Sequence, residues 1–325
     1  MIRQIELLNA ISALCFAAAC CAQTPAYPVK PVRILVGNAP GAGVDIQARL
    51  LAEKLQPLWG QAVVVDNRPG ANAVIAAELM ARAEPDGHTL MIHPAGVVSF
   101  NPALYEKLPY DVFRDFAPIT QISASNSFLL VRAAGPVENF RDLVDLAKRK
   151  AGGLNYATAG GRTGVPYLSS LVIQDKVGIQ FSYVPYKNPS QAATDLIGGQ
   201  IDAMVDAVPA SINNVRSGQL RAIAVIGPRR IQQAPAVPTI AELGVPEATG
   251  RGWQGMVTRA GTPPAIVRKI NADVVATLRL PDVQKRLGDI GFEIVANTPE
   301  EFAKVIRSEL DYWGKVIRDN GIRAE

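Results

Sequence analysis

Residues 32–50 read VRILVGNAPGAGVDIQARL, and this stretch decides the fold. The apolar run from Val32 to Val36 is followed by a glycine-containing turn and then by apolar residues at helical spacing. That order predicts strand, turn and amphipathic helix, the opening of a βαβ unit. A turn of this kind offers backbone N–H groups and the positive end of a helix dipole to an anion.

Outward from this unit the same alternation recurs. Short β-branched runs predict strands over 32–36, 62–66, 89–93, 128–132, 154–157, 181–184, 201–206 and 220–225. Helical spacing predicts helices over 45–58, 73–83, 137–150, 190–197 and 210–217. Strands alternating with helices argue for an α/β protein with parallel units. Near the C-terminus Thr298, Pro299 and Glu301 spell a capping box, followed by an apolar stripe from Phe302 to Ile317. The segment LNYATAGGRTGVPYLSSLVI, residues 154–173, repeats the opening design, with Thr163 as the expected helix cap. Two such cradles are able to face one small anion.

The chain has 325 residues, long enough for two domains of roughly 100 to 200 residues. Its 33 basic against 29 acidic residues leave a net charge of +4 with no basic block, so nucleic acid is not an expected partner. Residues 1–22, MIRQIELLNAISALCFAAACCA, read as a secretory signal peptide, too short in its apolar run for a membrane span. A buried N-terminal helix is the bland alternative. All three cysteines, Cys15, Cys20 and Cys21, fall there, so cleavage is expected ahead of lipid attachment at Cys20 or Cys21, and no disulfide or thiolate metal site is expected beyond them.

The signatures of common enzymes are missing: there is no G-x-S-x-G, G-x-x-x-x-G-K-[ST] or H-E-x-x-H. His88 and His93 stand in a turn and at a strand end and read as structural. The rival reading is an NAD(P)-dependent oxidoreductase that uses the Gly41/Gly43 turn, with Asp66 as the ribose-binding acid. Against it, Ile46 replaces the third glycine of the G-x-G-x-x-G fingerprint, and Asp45 sets a carboxylate where a pyrophosphate would lie.

Long ordered segments then carry a family resemblance. YPVKPVRILVGNAPGAGVDIQARLLAEKL (27–55), VVVDNRPGANAVIAAELMARAEPDGHTL (63–90), NPALYEKLPYDVFRDFAPIT (101–120), LNYATAGGRTG (154–164), VPYKNPSQAATDLIGGQIDAMVD (184–206), GQLRAIAV (218–225) and GWQGMVTRAGTPPAIVRKINADVV (252–275) closely resemble the Bug-type solute receptors of tripartite tricarboxylate transporters. The resemblance spans essentially the whole mature chain. It implies a periplasmic, monomeric, two-lobe receptor of the type II binding-protein fold that closes on a small organic acid and delivers it to a membrane permease. It implies no catalysis, no cofactor and no metal.

Carried over position by position, the first loop contributes Pro40, Gly41, Ala42 and Asp45, and the second Thr158, Ala159, Gly160, Arg162 and Thr163, with Asp206 at the mouth of a later strand. Departures from the family pattern stand at Ala42, Arg162, Pro166, Tyr167, Ala207 and the Asn72-Ala73-Val74 triplet. Each single residue also has a bland reading. Asp45, Thr163 and Asp206 are each candidate helix caps, Trp253 is a candidate core residue, and Tyr186 and Lys187 are rim or surface. Arg162 is either a solvated loop arginine or a fixed guanidinium favouring a dicarboxylate or a bulkier aromatic acid. The expected lobes are residues 27–125 with 228–325, and 126–227, joined by a crossing chain that permits hinging.

Overall fold

The computed structural model describes residues 27–159, 164–186 and 188–323. The expectations for residues 1–22, with Cys15, Cys20 and Cys21, and for Gly160, Arg162, Thr163 and Lys187 lie outside these described residues.

Strand β1 (Val32–Val36) leads into helix α1 (Gly43–Trp59), β2 (Val63–Asn67), α2 (Val74–Ala81) and β3 (Thr89–Pro94). After three single-turn helices between residues 96 and 115, β4 (Phe116–Ser125) passes through Asn126 directly into β5 (Ser127–Arg132). Then follow α3 (Phe140–Arg149), β6 (Leu154–Ala159), α4 (Val165–Val177), β7 (Phe181–Tyr186), α5 (Pro189–Gly198), β8 (Ala203–Ala207), α6 (Val208–Arg216) and β9 (Leu220–Ile226). The chain ends with β10 (Gly252–Arg259), α7 (Pro264–Leu278), α8 (Pro281–Asp289), β11 (Glu293–Ile294) and α9 (Pro299–Asp319).

The strands form a six-stranded sheet in the order β11-β4-β10-β3-β1-β2 and a five-stranded sheet in the order β7-β6-β8-β5-β9. Strands β1, β2 and β3 are parallel, as are β6, β7 and β8, which are the βαβ units read from the sequence. The pairs of β10 with β3 and β4, and of β5 with β8 and β9, are antiparallel. Both sheets are therefore mixed. Strands β4, β10 and β11 lay outside the sequence expectations, because Pro118, Gly252 and Gly255 are poor strand formers that only pairing with neighbours holds extended. Gly255 has a further reason: a β-carbon there would lie 2.2 Å from the Phe302 ring, so glycine lets α9 pack flat on the middle of the sheet.

The capping box at α9 is formed as expected, Glu301 N–H donating to Thr298 Oγ1 and Thr298 N–H to Glu301 Oε2. The apolar stripe of α9 buries Phe302, Ile306, Trp313 and Ile317 in the core. Two other cap expectations are corrected: helix α1 is capped by Ala42 rather than Asp45 and α6 by Ala207 rather than Asp206, and neither cap makes a side-chain hydrogen bond. Among the described residues, no helix is long and apolar enough to cross a membrane.

Candidate ligand cavity

The parallel strands of the larger sheet all end on one side, where loops must bridge to the helices that follow. The first loop, Gly37 to Ala42, is held from within by Asp45. Its carboxylate, only 2 % exposed, accepts hydrogen bonds from Gly41 N–H (2.8 Å), Arg49 Nε (2.9 Å) and Asn67 Nδ2 (2.9 Å). Asn67, at the tip of β2, also donates to the Asn38 carbonyl. Burial pushes the Asp45 pKa up, but Arg49, Gly41 and Asn67 together pull it below the usual carboxylate range. The charge of Asp45 thus shapes the loop and is already satisfied inside the protein.

The second wall comes from residues 69–73. Gly70, Ala71, Asn72 and Ala73 all have positive φ, at 133°, 45°, 53° and 67°. Each non-glycine residue held there costs on the order of 1 to 3 kcal/mol and persists only when its surroundings fix it. Asn101 Nδ2 donates to the Asn72 carbonyl, Asn72 Nδ2 donates to the Tyr105 hydroxyl, and the Tyr105 hydroxyl donates to the Ala71 carbonyl. The strained loop seats Ala73 directly against Gly37.

The smaller sheet supplies the facing side. Ser127 opens β5 opposite Ala207 at the end of β8, and the turn Gly164–Pro166 starts α4. Together these elements enclose a cavity of about 530 Å³ lined by Gly37–Ala39, residues 69–73, Pro94–Gly96, Ser125, Ser127, Gly164–Pro166, Ala207 and residues 252–254, with Phe100 and Asn101. It sits at the carboxyl ends of parallel strands, where open α/β sheets place ligands. The starts of α2, α4 and α6 reach it, with Val74 N–H already donating to the Ala71 carbonyl, Val208 N–H to the Asn126 carbonyl and Ala207 N–H to Asp206. Among the described residues, no charged side chain lines it.

Of the carried-over residues that the structure describes, Pro40, Gly41, Ala42, Asp45, Thr158 and Asp206 are not themselves in the cavity lining. Pro40, Gly41 and Ala42 continue the loop whose preceding residues, Gly37–Ala39, form the wall. Ala159 ends β6, and Thr158 is buried with its hydroxyl directed to the Val184 carbonyl. Asp206 is buried, accepts the Ala207 N–H at 2.9 Å and has its pKa pushed up by burial to about 6, that bond opposing the rise. Sequence reading did not select Gly37–Ala39, residues 69–71, Ser125, Ser127 or Gln254, and it marked Asn72 and Ala73 only as departures from the family pattern. Trp253 is both core and wall: it is 1 % exposed yet borders the cavity.

The features behind the oxidoreductase reading have other duties. Asp66 is paired with Arg33 Nε (2.8 Å) and Arg68 Nε (2.9 Å), so it is not a free ribose acceptor. A β-carbon on Gly43 would meet the Phe292 ring at 2.9 Å, so this glycine serves packing. His88 Nε2 accepts the Val29 N–H, and His93 is fully buried, which pushes its pKa down to about 4, with the Pro94 carbonyl opposing. Both are structural.

A family profile described as "Tripartite tricarboxylate transporter family receptor" matches residues 47–322. "Protein BugT" of Bordetella pertussis is 31% identical, with 91% of each chain covered. A solved R. palustris structure with adipate shares 31% identity at a TM-score of 0.79, covering 91% of this chain and 99% of that one. MatC of Rhodopseudomonas palustris with bound malate shares 31% at a TM-score of 0.76, covering 90% and 100%. The matched family is one of solute-binding receptors rather than enzymes. From residue 47 to residue 322 the sequence fits one profile, and the chain belongs to the receptor family of the tripartite tricarboxylate transporters.

Proposed function

We propose that this chain is a periplasmic receptor that holds a small organic acid by its carboxylate in the cavity between the two sheets and delivers it to a tripartite-type membrane permease. The observation that carries this reading is the cavity itself, a polar-backbone cradle at the ends of β1, β3 and β8 reached by three helix starts. Oriented N–H groups suit a carboxylate without any charged partner. Adipate and malate in the two relatives support the same ligand class. Residues Pro40, Gly41, Ala42, Asp45, Thr158, Ala159, Gly160, Arg162, Thr163 and Asp206 enter as the loops and supports of this cradle. The lobes are 27–125 with 228–325, and 126–227, hinged at Asn126 and at the segment between β9 and β10. Ligand closes them to the extent that it prefers the closed state.

A thermal-shift screen of organic acids beside NAD and NADP tests this. Stabilisation by at least one carboxylate and by neither nucleotide is expected, together with a smaller radius of gyration in small-angle scattering when that acid is bound. Stabilisation by a nucleotide alone overturns the reading.

A further inference from the structure

Gln254 stands half-buried on β10 and lines the cavity. Its amide is not loose. Ser123, fully buried on the paired strand β4, places its Oγ 2.8 Å from Gln254 Oε1 and 2.7 Å from Oε1 of Gln47, a residue of α1 that is 1 % exposed. A hydroxyl has one proton and cannot donate to both oxygens. A half-turn of an amide exchanges its oxygen and nitrogen with little change of shape, so the hydrogen-bond network decides which way each amide stands.

This network favours turning Gln47. While Gln47 offers its oxygen to Ser123, its Nε2 is buried with no hydrogen-bond partner among the described residues. Turned, Nε2 donates to Ser123 Oγ, and the group left over in the core is a carbonyl oxygen, which is found unpaired more often than a buried N–H. The Ser123 proton is then committed to Gln254 Oε1. Turning Gln254 instead would leave the Gln47 amide nitrogen orphaned. The relay from Gln47 through Ser123 to Gln254 therefore runs in one direction. It ends at Gln254 Nε2, which has no hydrogen-bond partner among the described residues and two protons to donate.

We propose that Gln254 is a specificity-determining residue of the cavity, its Nε2 donating to a carboxylate or keto oxygen of the bound acid, with Ser123 and Gln47 holding the amide in that orientation. This rests on the receptor reading above and names a ligand contact within it.

Calorimetric titration with succinate, malate, adipate, citrate and benzoate at about pH 8, where a glutamate side chain is ionised, selects the tightest probe. Gln254→Leu is expected to weaken that probe about tenfold or more, and Gln254→Glu, which keeps the shape but can only accept, to weaken it further than Gln254→Leu does. Ser123→Ala, which frees the amide, is expected to weaken it severalfold in the wild-type background and to have no effect on affinity once Gln254→Leu is present. Melting curves check that each variant is folded. Unchanged affinity in Gln254→Leu, or wild-type affinity in Gln254→Glu, overturns the proposal while the carboxylate receptor stands. If none of the acids binds the wild type, both fall.

Discussion

Gly37 and Ala73 lie so close that a β-carbon on Gly37 would sit 2.2 Å from the Ala73 Cβ and 2.9 Å from its Cα. This contact joins the end of β1 to the left-handed loop, and it fixes the spacing of two cavity walls. Gly37→Ala forces the loop outward. Overpacking of this kind costs typically about 1 to 3 kcal/mol. The variant is expected to melt at lower temperature and to bind its carboxylate at least about tenfold more weakly, read by calorimetry. Unchanged affinity would show that the loop's position does not matter.

Asp45→Asn probes the first loop. The wild-type carboxylate has a folded pKa below its unfolded value, so its stabilisation is fully present above the unfolded pKa of about 4 and is lost as pH falls through the folded pKa. The substitution is expected to cost about 1.5 to 3 kcal/mol at pH 7, the range for hydrogen bonds to a charged group. Denaturant melts at pH 7 and pH 3 check this, the gap between variant and wild type closing at the lower pH.

Asp206 behaves in the opposite sense. Its folded pKa of about 6 exceeds the unfolded value of 3.8, so stability falls as pH rises from about 4 to 6, and the full penalty is present above that. Two pKa units correspond to about 3 kcal/mol. Asp206→Asn is expected to stabilise the protein at pH 8 by up to that amount and to make no difference at pH 3.5. A pH series of urea midpoints decides it.

Thr298→Ala removes the hydroxyl that accepts the Glu301 N–H at the start of α9. The expected loss is about 1 kcal/mol, the usual value for a side-chain cap, with ligand affinity unchanged because the cap lies outside the cavity lining. Chemical denaturation and calorimetry on one preparation measure both.

What the sequence determined by itself is the local order of elements. The α/β class, the first glycine turn and the capping box at Thr298 were legible because each depends on residues within one or two turns of chain. Helix starts were legible to within a few residues, but the capping residues were not: Asp45 sits in the first turn, where Arg49 and Asn67 draw its carboxylate inward. The tertiary structure decided which strands run antiparallel, since β4 and β10 are held extended by pairing with each other and with β11 and β3. It also decided the cavity. The Ser125–Ser127 stretch, Trp253 and the strained loop at Ala73 come from separate parts of the sequence, and no local pattern marks residues that meet only when two sheets face each other. Asp206 shows the same limit, because the burial that raises its pKa is created by neighbours distant in the chain.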